Sequence, residues 1–210
     1  MDEHDHAAPH GTADEPGVTV AIVLAAGAGS RYTGPTHKLL ADLDGVPVAH
    51  RAVDAARRAG IGPIVVVTGA IDPYSGHPPR DVVVVDHPGW ADGQATTLQV
   101  GLQAARRLGA TAVVVGLADQ PFVTADAWRA VAASRSPIAV ATYSGRRRNP
   151  VRLAAEVWPL LPTTGDEGAR SVFRVRPELV DEVPCAGSPA DIDTWEDLAP
   201  WQRRSSTNSP

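Results

Sequence analysis

Short runs of apolar residues alternate with amphipathic stretches along most of the chain. Five runs rich in valine, isoleucine and alanine cover residues 18–24, 64–68, 82–86, 112–117 and 138–142. Each is long enough for one buried strand and far too short for a membrane span. Runs of this kind with helices between them are typical of parallel strands covered on both faces. The pattern therefore predicts an α/β protein, a three-layer α/β/α sandwich around a mostly parallel, twisted, Rossmann-like sheet.

The stretches between these runs carry the periodicity of helices. One predicted helix begins near Pro47, where the missing N–H costs nothing, and ends at Gly60. A second covers residues 95–108, in which apolar residues recur at helical spacing, and a third extends from residue 124 to about residue 135. Residues 39–43 are predicted to form an extended piece that leads into a turn.

The whole chain is expected to contain one domain, residues 18–201, between two tails. Residues 1–17 are small and polar and show no periodicity, which predicts a disordered N-terminal tail. The three histidines of this tail either hold a metal or are simply solvated. Residues 202–210 are rich in serine and asparagine and are predicted to form a flexible C-terminal tail.

The composition is that of an ordinary globular protein. Of the 210 residues, 43% are hydrophobic and 20% are charged, and the net charge is −5. This charge gives no reason to expect nucleic acid, and the three arginines at 146–148 are predicted to lie in a loop, as a solvated face or a phosphate contact. The single cysteine, Cys185, suits a reducing compartment, and the polar start is not a signal peptide. We therefore expect a cytoplasmic protein without a membrane partner.

A glycine-rich loop after the first strand carries the strongest chemical signal. Residues 25–29 read Ala-Ala-Gly-Ala-Gly, and Ser30, Arg31 and Lys38 follow. Glycines let backbone N–H groups approach an anion closely, and the two cations add the charge that a polyphosphate needs. The loop is therefore predicted to bind phosphates. It lacks the Gly-Lys-Ser/Thr of a Walker loop, and Tyr32 stands where the dinucleotide fingerprint has its third glycine.

Two later strand ends carry polar residues that the same edge of the sheet would bring to this loop. Asp119 leaves the fourth strand and is either a Mg²⁺ ligand or the start of a turn before Pro121. Residues 93–97 lead into a helix N-terminus, where free N–H groups favour an anion or a base carbonyl. The alternative there is simple N-capping by Asp92 or Thr96.

A series of motifs in the same order resembles those of the MobA-like nucleotidyltransferases, which transfer an NMP from an NTP. The motifs are LAAGAGSR with the later KLL, GQATT at 93–97, ADQP at 118–121, RNP at 148–150, GDEGAR at 165–170 and DIDTWEDL at 191–198. The resemblance covers residues 18–198 and implies a sandwich of the nucleotide-diphospho-sugar transferase type. This chain departs at Gln94, Thr97 and Trp195, where the family has Met, Ser and Pro. The segment between Arg31 and Lys38 is one or two residues longer than usual, so Lys38 sits differently or His37 shares its task.

The resemblance also implies roles for individual residues. Arg31, Lys38 and Asp119 would be catalytic, and Mg²⁺ would be held by Asp119 with Asp191 or Asp193, of which Asp191 is slightly favoured. The acceptor side of the cleft would carry Asn149, Asp166 and Arg170, although Arg170 by its chemistry alone is either an anion binder or an ion-pair partner of Asp166. The nucleotide would be bound by Leu24, Ala25, Ala26, Gly27, Ala28, Gly29, Ser30, Arg31, Gly93, Gln94 and Thr97.

Within the family, LAAG is the form associated with the molybdenum cofactor cytidylyltransferases, whereas the guanylyl branch usually reads LAGG. The Cβ of Ala26 near the base is consistent with a smaller pyrimidine. The resemblance thus implies transfer of CMP from CTP to molybdopterin that carries molybdenum, with release of pyrophosphate. It leaves open a molybdoenzyme or its maturation chaperone as a protein partner.

Three alternatives remain at the level of sequence. The first is the same transfer onto a sugar phosphate, a polyol phosphate or phospholactate. The second is a dinucleotide-dependent oxidoreductase, against which Tyr32 and the absence of an acidic residue at the end of the second strand argue. The third is a relative that binds nucleotide without catalysis, which the departures at Gln94 and Trp195 favour and the presence of Arg31, Lys38 and Asp119 opposes.

Overall fold

The computed structural model describes residues 17–198, in which strands and helices alternate. The strands are β1 (Val18–Ala25), β2 (Asp42–Leu43), β3 (Val46–Pro47), β4 (Ile64–Thr68), β5 (Val82–Asp86), β6 (Ala110–Leu117), β7 (Ile138–Tyr143), β8 (Arg146–Ala154) and β9 (Val180–Pro184). The α-helices are α1 (Val48–Ala59), α2 (Gln94–Arg107), α3 (Ala125–Ala132) and α4 (Arg170–Val175). No helix among these residues is long and apolar enough to cross a membrane.

Seven strands form one sheet in the order β5-β4-β1-β6-β8-β7-β9. All neighbours from β5 to β6 pair in parallel, as do β7 and β9. Only β8 is reversed, because it pairs antiparallel with both β6 and β7. The predicted α/β class and mostly parallel sheet are therefore confirmed.

Helices cover both faces of the sheet and enclose two hydrophobic cores. Successive residues of a strand point to opposite faces, so β1 contributes to both. Ala21 and Val23 pack in the core that α1 and α3 cover. Ile22 and Leu24 pack in the core that α2 and α4 cover. The predicted three-layer sandwich follows from this alternation.

Three predictions about local structure are wrong. The run 82–86 forms an edge strand instead of a fully buried one, and Val83 is 44% exposed. The piece 39–43 is not extended throughout, because Lys38–Leu40 forms a 3₁₀ turn before β2. The arginines at 146–148 lie in β8 instead of a loop, because Ser144 and Gly145 both adopt positive φ and close a tight β7–β8 hairpin.

Other boundaries agree closely. Helix α1 ends at Ala59 and is capped by Gly60 in the left-handed conformation, which agrees with the predicted end, and α3 ends at Ala132, three residues before the predicted end. The predicted tails, residues 1–17 and 202–210, lie outside the described residues except for Gly17.

The parallel arrangement brings the loops after β1, β4, β5 and β6 to one edge of the sheet. Backbone hydrogen bonds hold this edge together: the Ala70 N–H donates to the Ala26 carbonyl at 3.1 Å, and the Ala118 N–H donates to the carbonyl of Leu24 near the end of β1 at 3.0 Å. Ligands of open α/β sheets bind at this edge. The functional site is therefore expected here.

Candidate functional site

The glycine-rich loop after β1 is held in shape by close contacts with the residues that follow it. Gly29 has a φ of +61°, and a Cβ there would lie 2.9 Å from Cγ of Lys38 and 3.2 Å from Nε2 of His37. The Gly29 carbonyl accepts a hydrogen bond from the Tyr32 N–H at 2.9 Å. Only glycine allows this conformation and this approach at once.

The His37 ring fastens the far end of the loop. Its Nε2 donates to the Gly27 carbonyl at 3.2 Å, while Nδ1 accepts from the Leu39 N–H at 3.2 Å and caps the 3₁₀ turn Lys38–Leu40. This pair of bonds requires the neutral ring, and burial lowers the pKa of His37. Both ring nitrogens are thus committed to the backbone. His37 thus contacts the backbone of the loop and of the 3₁₀ turn, whereas the Lys38 side chain contacts Asp119 and Asp193.

Lys38 lies at the centre of a charge network in the cleft beside the loop. Its Nζ donates to Oδ2 of Asp119 at 2.6 Å and to Oδ1 of Asp193 at 3.2 Å, and its side chain is only 12% exposed. Arg31 reaches Oδ2 of Asp193 from the solvent side at 3.0 Å. Burial lowers the pKa of Lys38, but the two carboxylates outweigh burial and the net pKa lies above its usual value. Lys38 is therefore a permanent cation here.

The two aspartates of the C-terminal motif separate in space. The buried side chain of Ile192 anchors the segment, and its N–H donates to the Asp119 carbonyl at 2.9 Å. Asp193 faces the cleft with Asp119, whereas Oδ1 of Asp191 accepts from Nε2 of Gln120 at 2.7 Å. Burial and then the nearby Asp119 carboxylate raise the pKa of Asp191. Asp191, which the resemblance slightly favours as a metal ligand, lines neither cavity described below.

The cleft beside the loop has a volume of about 520 Å³ and is named the loop cleft. It collects nearly all of the predicted nucleotide-binding residues; Ala28 is the exception. Asp119, Asp193 and Lys38 also line it, as does Asp166, which the resemblance implies for the acceptor side. Four residues without a predicted role complete the wall: Leu39, Trp90, Ala91 and Leu117. Trp90 could have been predicted as a site residue from the sequence, because it is an aromatic residue in a loop at this edge of the sheet.

The N-terminus of α2 is closed by another segment of the chain. The Ala95 N–H donates to the Gly165 carbonyl at 2.8 Å, and Oδ1 of Asp166 accepts a long, 3.4 Å bond from the Gln94 N–H. No side chain of the local sequence caps the helix, and Oγ1 of Thr96 donates instead to the Gly93 carbonyl. The proposed capping by Asp92 or Thr96 is therefore absent. Asp166 faces α2 and not Arg170.

A second cavity of about 500 Å³ adjoins the loop cleft and is named the arginine cavity. Its floor is apolar and comes from the sheet and two helices, with Leu98, Val115, Val140, Val151, Leu153 and Phe173. Four arginines line it, namely Arg147, Arg148, Arg170 and Arg174. Leu24, Gln94 and Leu117 line both cavities and form a common wall.

The arginines of this cavity differ in their partners. Arg147 pairs with Glu182 at 2.7 Å and Arg174 with Glu167 at 2.7 Å. Within residues 17–198, Arg170 forms no ion pair, so its alternative role as a structural partner of Asp166 is wrong. Asn149 lines the same cavity and donates from Nδ2 to Oε1 of Gln120 at 3.2 Å. Two of the three predicted acceptor residues thus meet here.

These features match a known family. A family model described as the MobA-like NTP transferase domain matches residues 21–183. The chain belongs to this family. Its members are nucleotidyltransferases and generally depend on a divalent metal.

Individual relatives extend the match over almost the whole chain. Nicotine blue oxidoreductase of Paenarthrobacter nicotinovorans is 30% identical over 211 residues, which cover 90% of this chain and 98% of the relative. A nucleotidyl transferase from Methanothermobacter thermautotrophicus shares the fold, with a TM-score of 0.75, 24% identity, and coverage of 91% of this chain and 99% of the other. A Mycobacterium tuberculosis protein solved as a manganese complex has a TM-score of 0.68 and 26% identity, with coverage of 91% and 99%.

The carboxylates of this MobA-like domain fit a cation only together with further ligands. Within the described part of the chain, no group of three or more His, Cys, Asp or Glu side chains is placed to hold a metal. Asp119 and Asp193, however, already share one cation, the Lys38 ammonium. Mg²⁺ is commonly bound by one or two carboxylates plus substrate phosphates, so the pair has the donor chemistry that such a site requires.

Proposed function

We propose that the protein transfers CMP from CTP to the phosphate of molybdenum cofactor, with release of pyrophosphate. The observation that carries this proposal is the pair of adjoining cavities, one beside a phosphate loop and one lined by arginines over an apolar floor. Nucleotidyl transfer needs two substrates side by side, and Leu24, Gln94 and Leu117 separate the cavities by a single wall.

In the proposed reaction an oxygen of the acceptor phosphate attacks the α-phosphorus of CTP. The new P–O bond forms as the bond from the α-phosphorus to the bridging oxygen of pyrophosphate breaks. The attacking phosphate is already ionised at neutral pH, so no general base is needed. Positioning and the neutralisation of charge therefore carry the catalysis.

The loop residues provide this positioning. Backbone N–H groups of residues 26–30 and the Arg31 guanidinium would hold the β- and γ-phosphates. Lys38, whose ammonium remains charged, would lie between the α-phosphate and the incoming phosphate. Asp119 and Asp193 fit Mg²⁺ better than Asp119 and Asp191, because Asp193 faces Asp119 across one ammonium while Asp191 is bound to Gln120. A bound divalent cation would offset the negative charge of the triphosphate.

The arginine cavity favours a particular kind of acceptor. Its floor is apolar, which suits a flat heterocycle such as a pterin better than the hydroxyl groups of a sugar or a polyol. Its arginines suit a phosphate, since guanidinium groups bind phosphate in a bidentate manner. A phosphorylated pterin combines both features. Sugar phosphate, polyol phosphate and phospholactate remain the alternative acceptors for the same transfer.

The choice of CTP is supported by Ala26, which lines the loop cleft where the guanylyl branch usually has glycine. One methyl group in a pocket discriminates by about 1–3 kcal/mol. Ala26 therefore favours a pyrimidine without enforcing it.

Pyrophosphate release tests the proposal directly. The purified protein is given Mg²⁺, molybdenum cofactor and one of CTP, GTP, UTP or ATP, and Asp119→Ala is the matched control. We expect release with CTP above all and its loss in the variant. Release with another nucleotide would correct the base, release with a sugar phosphate alone would correct the acceptor, and absence of nucleotide binding would overturn the transferase.

An oxidoreductase is the second candidate, because the relative that aligns over 98% of its length is named nicotine blue oxidoreductase. Two features argue against a dinucleotide cofactor here: Tyr32 replaces the third glycine of the fingerprint, and β4 ends at Thr68 without an acidic residue. Consumption of NADH or NADPH with a quinonoid dye as electron acceptor measures this activity. Turnover that Asp119→Ala leaves intact would favour the oxidoreductase over the transferase.

A further inference from the structure

Trp90 lines the loop cleft, and no role follows for it from the motifs of the chain. It begins a short 3₁₀ turn, Trp90–Asp92, in the loop between β5 and α2. The backbone N–H of Trp90 donates to the His87 carbonyl at 3.1 Å, and the backbone carbonyl of Trp90 accepts from the Gly93 N–H at 3.3 Å. The backbone of Trp90 is thus fixed, and its half-buried side chain forms part of the cleft wall.

A close approach to Gly69 sets the position of the indole. A Cβ added at Gly69 would lie 2.6 Å from Cβ of Trp90, 2.7 Å from its Cγ and 2.8 Å from Cβ of Ala26. No side chain other than hydrogen fits between these atoms. The φ of Gly69 is not positive, so the glycine is required by this contact and not by its backbone conformation. Gly69 therefore lets both Trp90 and Ala26 pack against the space that its own side chain would fill.

The chemistry of the remaining wall indicates what Trp90 would contact. The other side chains of the loop cleft are small, aliphatic or polar, and its charged groups, Lys38, Arg31 and the aspartates, suit phosphates and a cation. Among the residues that line this cleft in the described part of the chain, Trp90 alone offers an aromatic face. A nucleobase gains affinity by stacking on such a face, whichever base it is.

We propose that Trp90, held in place by Gly69 and Ala26, forms the base-binding wall of the loop cleft and stacks on the nucleobase of the nucleotide substrate. This inference rests on the proposed function, because it assumes that a nucleoside triphosphate occupies the cleft. It adds a contact that raises the affinity for the base, separate from the phosphate contacts of the loop. In Gly69→Ala, the added methyl group would displace the Trp90 side chain from the wall of the loop cleft.

The experiment compares a ligand that has a base with one that lacks it. Binding of CTP and of inorganic tripolyphosphate, each with Mg²⁺, is measured by calorimetry for the wild type, Trp90→Ala, Trp90→Phe and Gly69→Ala. We expect Trp90→Ala to weaken CTP roughly 5- to 100-fold, the range that loss of one stacked base gives. Trp90→Phe should weaken CTP less, and Gly69→Ala should weaken it without removing the ring. Tripolyphosphate should bind the wild type and the two Trp90 variants equally.

Fluorescence supplies a second readout if Trp90→Ala does not fold. CTP should quench the tryptophan emission of the wild type, and Trp90→Phe should abolish the quenching. Trp195→Phe is the matched control, since Trp195 is 40% exposed and lines neither cavity. Unchanged CTP binding or quenching in the Trp90 variants, or equal loss of CTP and tripolyphosphate, would overturn the role of Trp90 while the proposed transferase stands. Failure of the wild type to bind either ligand would overturn both.

Discussion

The loop cleft and the arginine cavity are nearly equal in volume and share a wall, yet their charges are organised in opposite ways. The loop cleft is lined by two cations, Arg31 and Lys38, and by three carboxylates, Asp119, Asp166 and Asp193. Both cations pair with carboxylates inside the cleft. The arginine cavity is lined by four guanidinium groups and one carboxylate, Glu167.

This difference indicates what each cavity lacks. The two cations and three carboxylates that line the loop cleft have no surplus of positive charge. The negative charge of a bound triphosphate must therefore be balanced by the backbone N–H groups and a divalent cation. An anion entering the arginine cavity meets a surplus of positive charge and needs no added metal. The two halves of the site therefore depend on different counter-charges, and separate variants should affect them separately.

The largest expected effect is at Lys38, the single lysine of the chain beside 18 arginines. Lys38→Ala removes the cation that lies between the two substrates in the proposed reaction. Loss of one group that stabilises transition-state charge costs about 10²- to 10³-fold in kcat. Single-turnover transfer of CMP at saturating CTP and acceptor measures this loss.

Lys38→Arg is the matched control for this prediction. It retains the charge but replaces a compact ammonium with a planar fork, so a partial loss is expected. Transfer by Lys38→Ala at a rate similar to that of the wild type would show that the loop cleft does not depend on this cation.

The second effect is on the arginine cavity alone. Two guanidinium groups of this cavity, those of Arg148 and Arg170, form no ion pair within residues 17–198 and are available to an anion, and Arg170→Ala removes one of them. Loss of a charge-assisted hydrogen bond costs about 1.5–3 kcal/mol, which raises the KM for the acceptor about 10- to 100-fold. The Kd for CTP should stay constant, as calorimetry would record.

Arg174→Ala provides the comparison, because Arg174 is already paired with Glu167 at 2.7 Å. Its removal should raise the acceptor KM less than the removal of Arg170. An equal rise in the Kd for CTP in either variant would contradict the separation of the two cavities.

The two cavities also differ in how far the sequence predicts them. Half of the residues that line the loop cleft come from one segment, residues 24–39, and Gly29, Arg31 and Lys38 in it are recognisable by residue type and spacing. The arginine cavity is assembled from β1, α2, β6, β7, β8 and α4 with the segment before it, so its residues come from six separate parts of the sequence. Arg147 and Arg148 were expected in a loop but lie on a strand, because the reversed direction of β8 follows from a hairpin and not from its own apolar pattern.

Individual side-chain contacts inside the loop cleft could not be predicted from the sequence either. The alternation of an extended segment places Asp191 and Asp193 on one side, yet only Asp193 faces Lys38 while Asp191 is bound to Gln120. The choice depends on where Ile192 is anchored by the Asp119 carbonyl, which is a tertiary contact. The class of fold follows from local patterns, whereas such pairings follow from packing.

The third prediction concerns the competition between Lys38 and a metal for the same carboxylates. The ammonium lies 2.6 Å from Asp119 and 3.2 Å from Asp193, so a divalent cation must displace it. Lys38→Met keeps most of the side chain and removes the charge, which should tighten Mn²⁺ binding without nucleotide about tenfold, equivalent to about 1.4 kcal/mol. Paramagnetic resonance of free Mn²⁺ measures the binding.

Arg170→Ala is the control for this measurement, because Arg170 lines only the arginine cavity. It should bind Mn²⁺ as the wild type does. Weaker Mn²⁺ binding by Lys38→Met would mean that Asp119 and Asp193 are not the ligands.

The smallest effect is expected at His37, which joins the loop to the backbone of the Lys38 turn and titrates. Burial lowers the pKa of His37, so the folded protein favours the neutral ring. The stabilisation that the neutral ring gives to the loop is complete above the ordinary histidine pKa of about 6.5. It is lost as the pH falls through the lower pKa of the folded protein. Protonation removes the acceptor at Nδ1 that caps the Leu39 N–H, which is worth about 1 kcal/mol. As the pH falls from neutral through the lowered pKa of His37, the affinity for CTP should therefore drop by about fivefold more in the wild type than in His37→Asn. Asparagine is also a good capping residue, and its side chain does not titrate. The phosphates of CTP titrate equally in both measurements, so their effect cancels when the pH profiles of the two proteins are compared. Parallel pH profiles for the two proteins would show that the ring does not control the loop, and that the loop cleft keeps its shape through Gly29 and the charge network alone.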